Sequence, residues 1–263
     1  MGSHVTKWNG VELCLGFPVR FSEGHPVLNE LDAQKSLEPV LAPPLRLTTP
    51  HPTIVIDPGH GGNQAGTKST LYNRFEKEFT LDWAKRLAAL LKLQGWNVVL
   101  TRFGDEAVPL TNRVAVAELA RANIFLSLHF NSSFPRTDQS GIETYCMTPT
   151  GMPSNLTRGY EDDPRLVTPN NSFDRENLQL AMLLHRAILE GAHPADRGVR
   201  HARFMDVLKG QNRPAVLIEG GYLSNPEEAE LIGTPAYRQR LAASVASALE
   251  TLLPGNQTSV TQR

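Results

Sequence analysis

From Thr53 onward, short apolar runs alternate with stretches of helical period, and few folds satisfy such an alternation. TIVID, beginning at Thr53, and AVLIEGG, beginning at Ala215, have the continuous apolar character of buried strands. WNVVLTR from Trp96, NIFLSLHF from Asn123 and GIETYCM from Gly141 read as further strands, with a short one expected at residues 204–208. Residues 77–93 place Leu81, Ala84, Leu87, Ala88 and Leu91 on one helical face, and Gly95 ends that helix. Thr111 is read as the cap of a helix running to about Arg121, and residues 178–190 form an apolar-striped helix. Ser224-Asn225-Pro226 opens another, and residues 236–253 make the last. Elements of these lengths in this order predict an α/β fold, a mostly parallel twisted sheet flanked by helices on both faces.

The first fifty residues break that rhythm. Residues 5–50 carry alternating apolar positions around Asn9-Gly10, a hairpin-turn dipeptide, then a helical stretch, LNELDAQKSLEPVL, and a proline-rich connector over 42–52. They are expected to form a small β-containing appendage, or an arm packed on the main unit of residues 51–253. Residues 1–4 read as added in cloning, no export signal is read here, and 254–263 read as a flexible, frayed tail. Residues 147–175, rich in proline, glycine and charge without period, form a long loop of the kind that is functional or disordered. A formal net charge of −1 leaves no basic footprint for nucleic acid. No apolar run approaches the roughly 20 residues that span a bilayer. Cys14 and Cys146 supply no disulfide framework and no thiolate metal site; two unrelated buried thiols are expected, with a disulfide between them left open.

Three polar residues stand at the C-terminal ends of apolar strands: His60 after TIVID, His129 within FLSLHF, and Glu219 closing AVLIE. In an open α/β sheet that edge is the usual ligand crevice. Glu76, just before the first helix of the alternation, stands on the same side. Two imidazoles and a carboxylate can hold Zn²⁺ with a fourth position open, which marks a catalytic rather than a structural site. The remaining glutamate can then serve as general base towards water that the metal has made acidic, with a pKa of about 7. Taken singly, each residue has a plainer reading. A strand-end histidine is often structural, and Glu76 in the charged run RFEKE would ordinarily be a solvated carboxylate favoured by the helix dipole. Glu219 is harder to set aside, because a glutamate beside Val216-Leu217-Ile218 is costly to bury unpaired. The glycine-rich turn DPGHGG lacks the Gly-Lys-Ser/Thr ending of a phosphate loop and does not lead straight into a helix, so a nucleotide site is disfavoured.

The ordered set of segments resembles the zinc-dependent N-acetylmuramoyl-L-alanine amidases of the type 3 amidase family. DPGHGG is followed by FEKEFTLDWAKRLAALL, LTR, PLTNRVAVAELARANIFLSLHFNSS, GIETY, DRGVRHARFMDVL and PAVLIEGGYLSNPEEAELI, in the family's order from about Thr53 to Leu253. The resemblance implies one zinc ion held by His60, Glu76 and His129, with Glu219 as the catalytic glutamate. It aligns Glu76-Lys77, rather than the nearby Glu78, with the family's ligand position. It implies hydrolysis of the amide between N-acetylmuramic acid and L-alanine in peptidoglycan, in the bacterial cell envelope, periplasmic or extracellular. The cellular purpose would be wall remodelling, daughter-cell separation or recycling. Two departures stand beside the site. Gly220-Gly221-Tyr222 follows Glu219 where the family usually has threonine and phenylalanine, and Phe130 follows His129 where alanine is usual. They put substrate fit in question.

Arg102 and Arg113 match family positions, and Arg102 is read as a tentative substrate contact, with a salt bridge bracing the sheet edge as the alternative. Asn131, two residues past His129, points to the same side of the strand and is read as meeting substrate or orienting a ligand. His185 is expected to be a partly buried structural residue, and His193 and His201 are read as loop residues flanking Asp196-Arg197-Gly198. The loop 147–175 lies where some family members carry a segment that covers the zinc until an activator protein displaces it. Glu161, Asp162 or Asp163 could offer the metal a carboxylate, though a substrate-side loop fits the composition better. The competing readings are another zinc amide hydrolase or peptidase acting on stem peptides, and a degenerate wall-binding domain. The complete ligand set argues against the second.

Overall fold

In the computed structural model, which describes residues 2–159 and 162–255, the chain opens with a hairpin. Asn9 and Gly10, at φ 47° and 83°, turn β1 (Val5–Trp8) back on β2 (Val11–Cys14), both in the left-handed region that a two-residue hairpin turn requires. A two-stranded ribbon follows, β3 (Arg20–Ser22) and β4 (His25–Val27). The expected helical stretch is α1 (Glu30–Asp32), a π-helical turn (Ala33–Leu37) and α2 (Glu38–Leu41). The alternation then runs β5 (Thr53–Pro58), α3 (Glu76–Leu93), β6 (Asn97–Leu100), α4 (Leu110–Leu119), β7 (Ile124–Asn131) and β8 (Ile142–Cys146). It continues with α5 (Asp174–Ala192), β9 (Asp196–His201), α6 (Asp206–Lys209), β10 (Ala215–Tyr222), α7 (Pro226–Gly233) and α8 (Pro235–Glu250). Of the tail, residues 256–263 lie outside the described residues.

Among the described residues the main sheet has eight strands, in the order β1-β2-β9-β8-β10-β7-β5-β6. Neighbours run parallel except β8 against β10 and β1 against β2. Within the apolar runs, alternate residues face opposite layers. Ile54, Ile56, Ile124, Leu126, Val216 and Ile218 pack with Trp83, Leu87, Leu184 and Leu241 of α3, α5 and α8. Val55, Phe125, Ala215 and Leu217 pack with Ala117, Val207 and Leu208 of α4 and α6. Burial of each such side chain contributes about 1.5–3 kcal/mol, so two covered faces account for the continuous apolar character of β5 and β10.

The structure departs from the sequence reading in four places. The N-terminal hairpin, expected as an appendage or arm, is part of the main sheet, with Leu13 paired to Val199 and Val11 and Leu13 in the same core as β5. Thr111 lies inside α4, whose N-cap is Pro109. Residues 204–208 form no strand; they lead into α6, and the strand is β9, read as loop. β9 has no apolar period of its own because most of its polar groups are neutralised by partners remote in sequence. The Asp196 carboxylate accepts from the backbone amides of Glu12 and Gly198, at 2.8 Å each, and from His185 at 3.0 Å. His185 is wholly buried between Asp196 and the Thr144 hydroxyl, and His201 is buried at the end of β9 rather than in a loop. Cys14 and Cys146 are both free and buried.

Phe130 and Gly220 lie on adjacent strands and face the helical layer, away from Glu219 and His129. The Phe130 ring sits 5.4 Å from Trp83 and 6.4 Å from Phe79, and a Cβ at Gly220 would come within 2.8 Å of Trp83 and 3.0 Å of Phe130. A large residue at 130 therefore requires none at 220. Gly220→Ala should destabilise the protein by about 1–3 kcal/mol through overpacking. Combined with Phe130→Ala, it should cost less than the sum of the two single changes, as read from a double-mutant cycle in urea. Additive effects would show that the two positions do not share one space.

Candidate active site

β5 ends in a carboxylate that the core would reject without partners. Asp57 is buried and accepts from Thr101 Oγ1 at 2.5 Å, Arg113 Nη1 at 2.6 Å and Ser127 Oγ at 2.8 Å. Arg113 also donates to the carbonyls of Pro58 (2.9 Å), His60 (2.7 Å) and Val108 (3.0 Å). Arg102 donates to the carbonyls of Pro58, Gly59, Lys77 and Gly104 and to the Thr80 hydroxyl, at 2.7–3.1 Å. Arg102 is therefore no substrate contact. It is 2% exposed, with its guanidinium committed to backbone oxygens, and it holds the turn between β5 and α3.

That turn delivers the first side chain of the candidate site. His60 takes φ 63°, a left-handed conformation uncommon for a residue with a side chain, and the Arg113 bond to its carbonyl keeps it there. Gly66, at φ 72°, has its backbone against the next two, for a Cβ there would lie 2.6 Å from Glu76 Oε2 and 2.7 Å from His60 Cδ2. Glu76 is the first residue of α3, and Glu78, two residues on, caps the helix by accepting from the Phe75 amide at 3.0 Å. This division of labour sends Glu76 into the crevice and keeps Glu78 out.

His129 comes from β7, with its ring over Gly59, where a Cβ would lie 2.3 Å away. His60 Nε2 is 3.1 Å from Glu76 Oε2, His129 Nδ1 is 2.9 Å from Glu76 Oε1, and the two ring centroids are 4.9 Å apart. One donor atom from each of the three residues lies within 4.8 Å of the others, so the group can hold a metal ion. The amides of Phe130 and Thr67 donate to the Glu76 oxygens at 3.0 and 3.1 Å. Burial alone would push the Glu76 carboxyl up, but the hydrogen bonds from both histidines outweigh it and hold the carboxyl well below the usual range.

The parallel register sets Glu219 beside His129, and the antiparallel register sets it beside Glu143 on β8. Glu219 Oε2 is buried without a hydrogen-bond partner, and burial pushes its carboxyl up to about 7, opposed by His129 and reinforced by the negative charge of Glu76. A carboxyl held near neutrality in a crevice can both accept and return a proton.

Glu143 is the residue that sequence reasoning missed. It takes Tyr145 Oη and Asn131 Nδ2 at 2.9 and 2.8 Å, with Arg197 Nε at 3.0 Å and Arg200 Nη2 at 3.5 Å. The signal was the one used for Glu219, an acid inside an apolar strand. Asn131 faces the same side as His129, as expected, and sits between Glu143 and Arg158 of the long loop. Asp162 does not reach the cluster, for it binds Arg203 Nη1 at 2.5 Å and the Ser154 amide at 2.7 Å. Asp163 pairs with exposed Arg165, and Glu161 lies outside the described residues.

Residues 54–251 match a family model described as N-acetylmuramoyl-L-alanine amidase. The amidase AmiA of Salmonella typhimurium is 29% identical over 217 residues, 74% of each chain. Among solved structures, the N-acetylmuramoyl-L-alanine amidase from Clostridium difficile 630 superposes with a TM-score of 0.65 at 30% identity, covering 79% of this chain and all of that one. The catalytic domain of the amidase CwlV from Bacillus (Paenibacillus) polymyxa var. colistinus gives 0.62 at 29% identity, covering 75% of this chain and 96% of that one. The matched span begins at β5, so the N-terminal hairpin precedes it.

The arginine brace yields a prediction. Arg113→Ala leaves the Asp57 carboxylate buried without its cation, and should lower the unfolding free energy by about 3–5 kcal/mol in urea titration. A loss below about 1 kcal/mol would mean the pair does not hold this end of the sheet.

Proposed function

The chain belongs to the N-acetylmuramoyl-L-alanine amidase family, and from that premise we propose that it is a zinc enzyme with His60, Glu76 and His129 as ligands and Glu219 as proton carrier. It hydrolyses the amide that joins the lactyl group of N-acetylmuramic acid to L-alanine in peptidoglycan. The observation that carries the assignment is the three-residue donor group with an orphaned buried carboxylate oxygen on the neighbouring strand. Two imidazoles and one carboxylate suit zinc and leave room for substrate, which a closed structural set would not.

When bound there, zinc supplies a Lewis acid for the scissile carbonyl and makes water acidic enough to attack near neutral pH. The backbone amides of Thr67 and Phe130 donate to the Glu76 oxygens and favour its ionised form, which would neutralise part of the ion's charge at the ligand set. Glu219 takes a proton from the attacking water and returns it to the L-alanine nitrogen as that bond breaks. Its buried carboxyl, raised to about 7, is matched to such a two-way role. Phe130 and Trp83 pack together on the face of the sheet away from His129 and Glu219, which the β7–β10 pairing sets side by side. The substrate chemistry assigns the protein to the bacterial envelope, in wall remodelling, daughter-cell separation or recycling. Among the described residues no helix is long and apolar enough to cross a membrane.

Metal analysis joined to mass spectrometry of products from purified sacculi tests the reading. Glu219→Ala should keep about one zinc per chain and lose about 10²–10⁴-fold in turnover, whereas His60→Ala should lose both metal and turnover. Chelation should abolish activity and added zinc restore it. The released peptides should begin with L-alanine; cleavage inside the stem peptide would point to a peptidase instead. Full activity in Glu219→Ala would sink the assignment.

A further inference from the structure

Among its described residues, the long loop makes no hydrogen bond or ion pair to His60, Glu76 or His129. Its first half is pinned to the body of the protein by groups well away from the metal ligands. Arg203 is buried, donates to the carbonyls of Pro149 and Met152 at 3.0 and 2.6 Å, and pairs with Asp162. Asn155 donates to the Leu15 carbonyl at 2.9 Å and accepts from the His201 amide at 2.8 Å. Past Asn155 the chain reaches Arg158, at φ 45°. Arg158 Nη2 reaches the side chain of Asn131 at 3.3 Å, and its guanidinium lies 5.1 Å from the centre of the Phe204 ring. Asn131 is two residues past His129 on the same face of β7, so this guanidinium stands at the mouth of the crevice.

The other arginines nearby already have carboxylates. Arg197 and Arg200 share Glu143, and Arg203 has Asp162. Arg158 is exposed, and among the described residues it forms no ion pair. Its charge is nonetheless felt at Glu219, where it favours the ionised form. A guanidinium held by an amide oxygen on one edge and an aromatic ring on one face is oriented, with further donors free for a planar anion.

We propose that Arg158 is a specificity-determining residue that binds a carboxylate of the stem peptide close to the scissile amide. The inference rests on the amidase reading above. It assigns the long loop a positive role: the loop brings a cation to the substrate's peptide side, where the catalytic strands supply mostly carboxylates. A carboxylate in that position receives two parallel N–H donors from Arg158, and a carboxamide loses the charge and one of the two acceptors.

The test uses the zinc-loaded full chain and two soluble muropeptides that differ only in whether the stem residue after L-alanine bears a free carboxylate or a carboxamide. The wild type should prefer the carboxylate by about tenfold in KM, the scale of one charge-assisted hydrogen bond. Arg158→Gln keeps a donor for Asn131 and removes the charge, and its preference should fall to near unity. Arg158→Lys should keep part of the preference. An unchanged unfolding midpoint in Arg158→Gln, together with a collapsed preference, excludes a merely structural role for the residue. A wild-type preference that survives in Arg158→Gln, or a wild type that shows none, overturns this inference alone. A wild type that releases no peptide beginning with L-alanine from either substrate overturns the amidase reading and this inference with it.

Discussion

Asp57 is a charged group in a place that tolerates none, and its neutralisation organises the catalytic edge of the sheet. A carboxylate taken out of water costs several kcal/mol unless donors surround it, and here they come from Thr101 after β6, Arg113 on α4 and Ser127 on β7. Those three bonds draw neighbouring strands and a helix to one point. The same Arg113 then continues outward along the chain and holds the carbonyls of Pro58 and His60. Arg102 does the same for Pro58 and Gly59 from the other side. With its carbonyls fixed, the turn has one course, and that course leaves His60 in a left-handed conformation facing Glu76. The donor group is thus a consequence of how a buried anion was satisfied one strand-end away.

Much of this was legible before any coordinates. β5, β7 and β10 are apolar runs with a histidine or glutamate at or just past their C-terminal ends, and a side chain of that kind at the edge of a parallel sheet has few roles. The pattern found His60, His129 and Glu219, and the family resemblance supplied Glu76 over Glu78. What the sequence concealed were the groups whose polarity is cancelled at long range. β9 reads as loop because Asp196, Arg197, Arg200 and His201 are polar, yet their partners lie on the N-terminal hairpin, on α5 and on β8. Glu143 was hidden in the same way, since its place beside Glu219 depends on the antiparallel register of β8. The role of Arg102 was ambiguous because an arginine at a strand end serves equally well as a brace or a substrate clamp; only the fate of its donors separates the two.

The two departures from the family pattern take on a different meaning in three dimensions. As neighbours of His129 and Glu219 in sequence, Phe130 and Gly220 suggest an altered substrate site. The pleat turns both of them to the opposite face, where the ring of one lies over the missing side chain of the other. The pair exchanges volume across two strands on the face away from Glu219, while Tyr222, from the same departure, lies under the Arg197 guanidinium. Residues adjacent in sequence to a functional group share its strand but not its surroundings.

The long loop separates its attachment from its working end. Arg203 and Asn155 fasten it to the frame, while Arg158 at its turn meets the crevice, and none of the fastening bonds involves His60, Glu76, His129 or Glu219. A loop fastened in this way can vary at its exposed turn without loosening its own anchors or disturbing the four residues at the sheet edge.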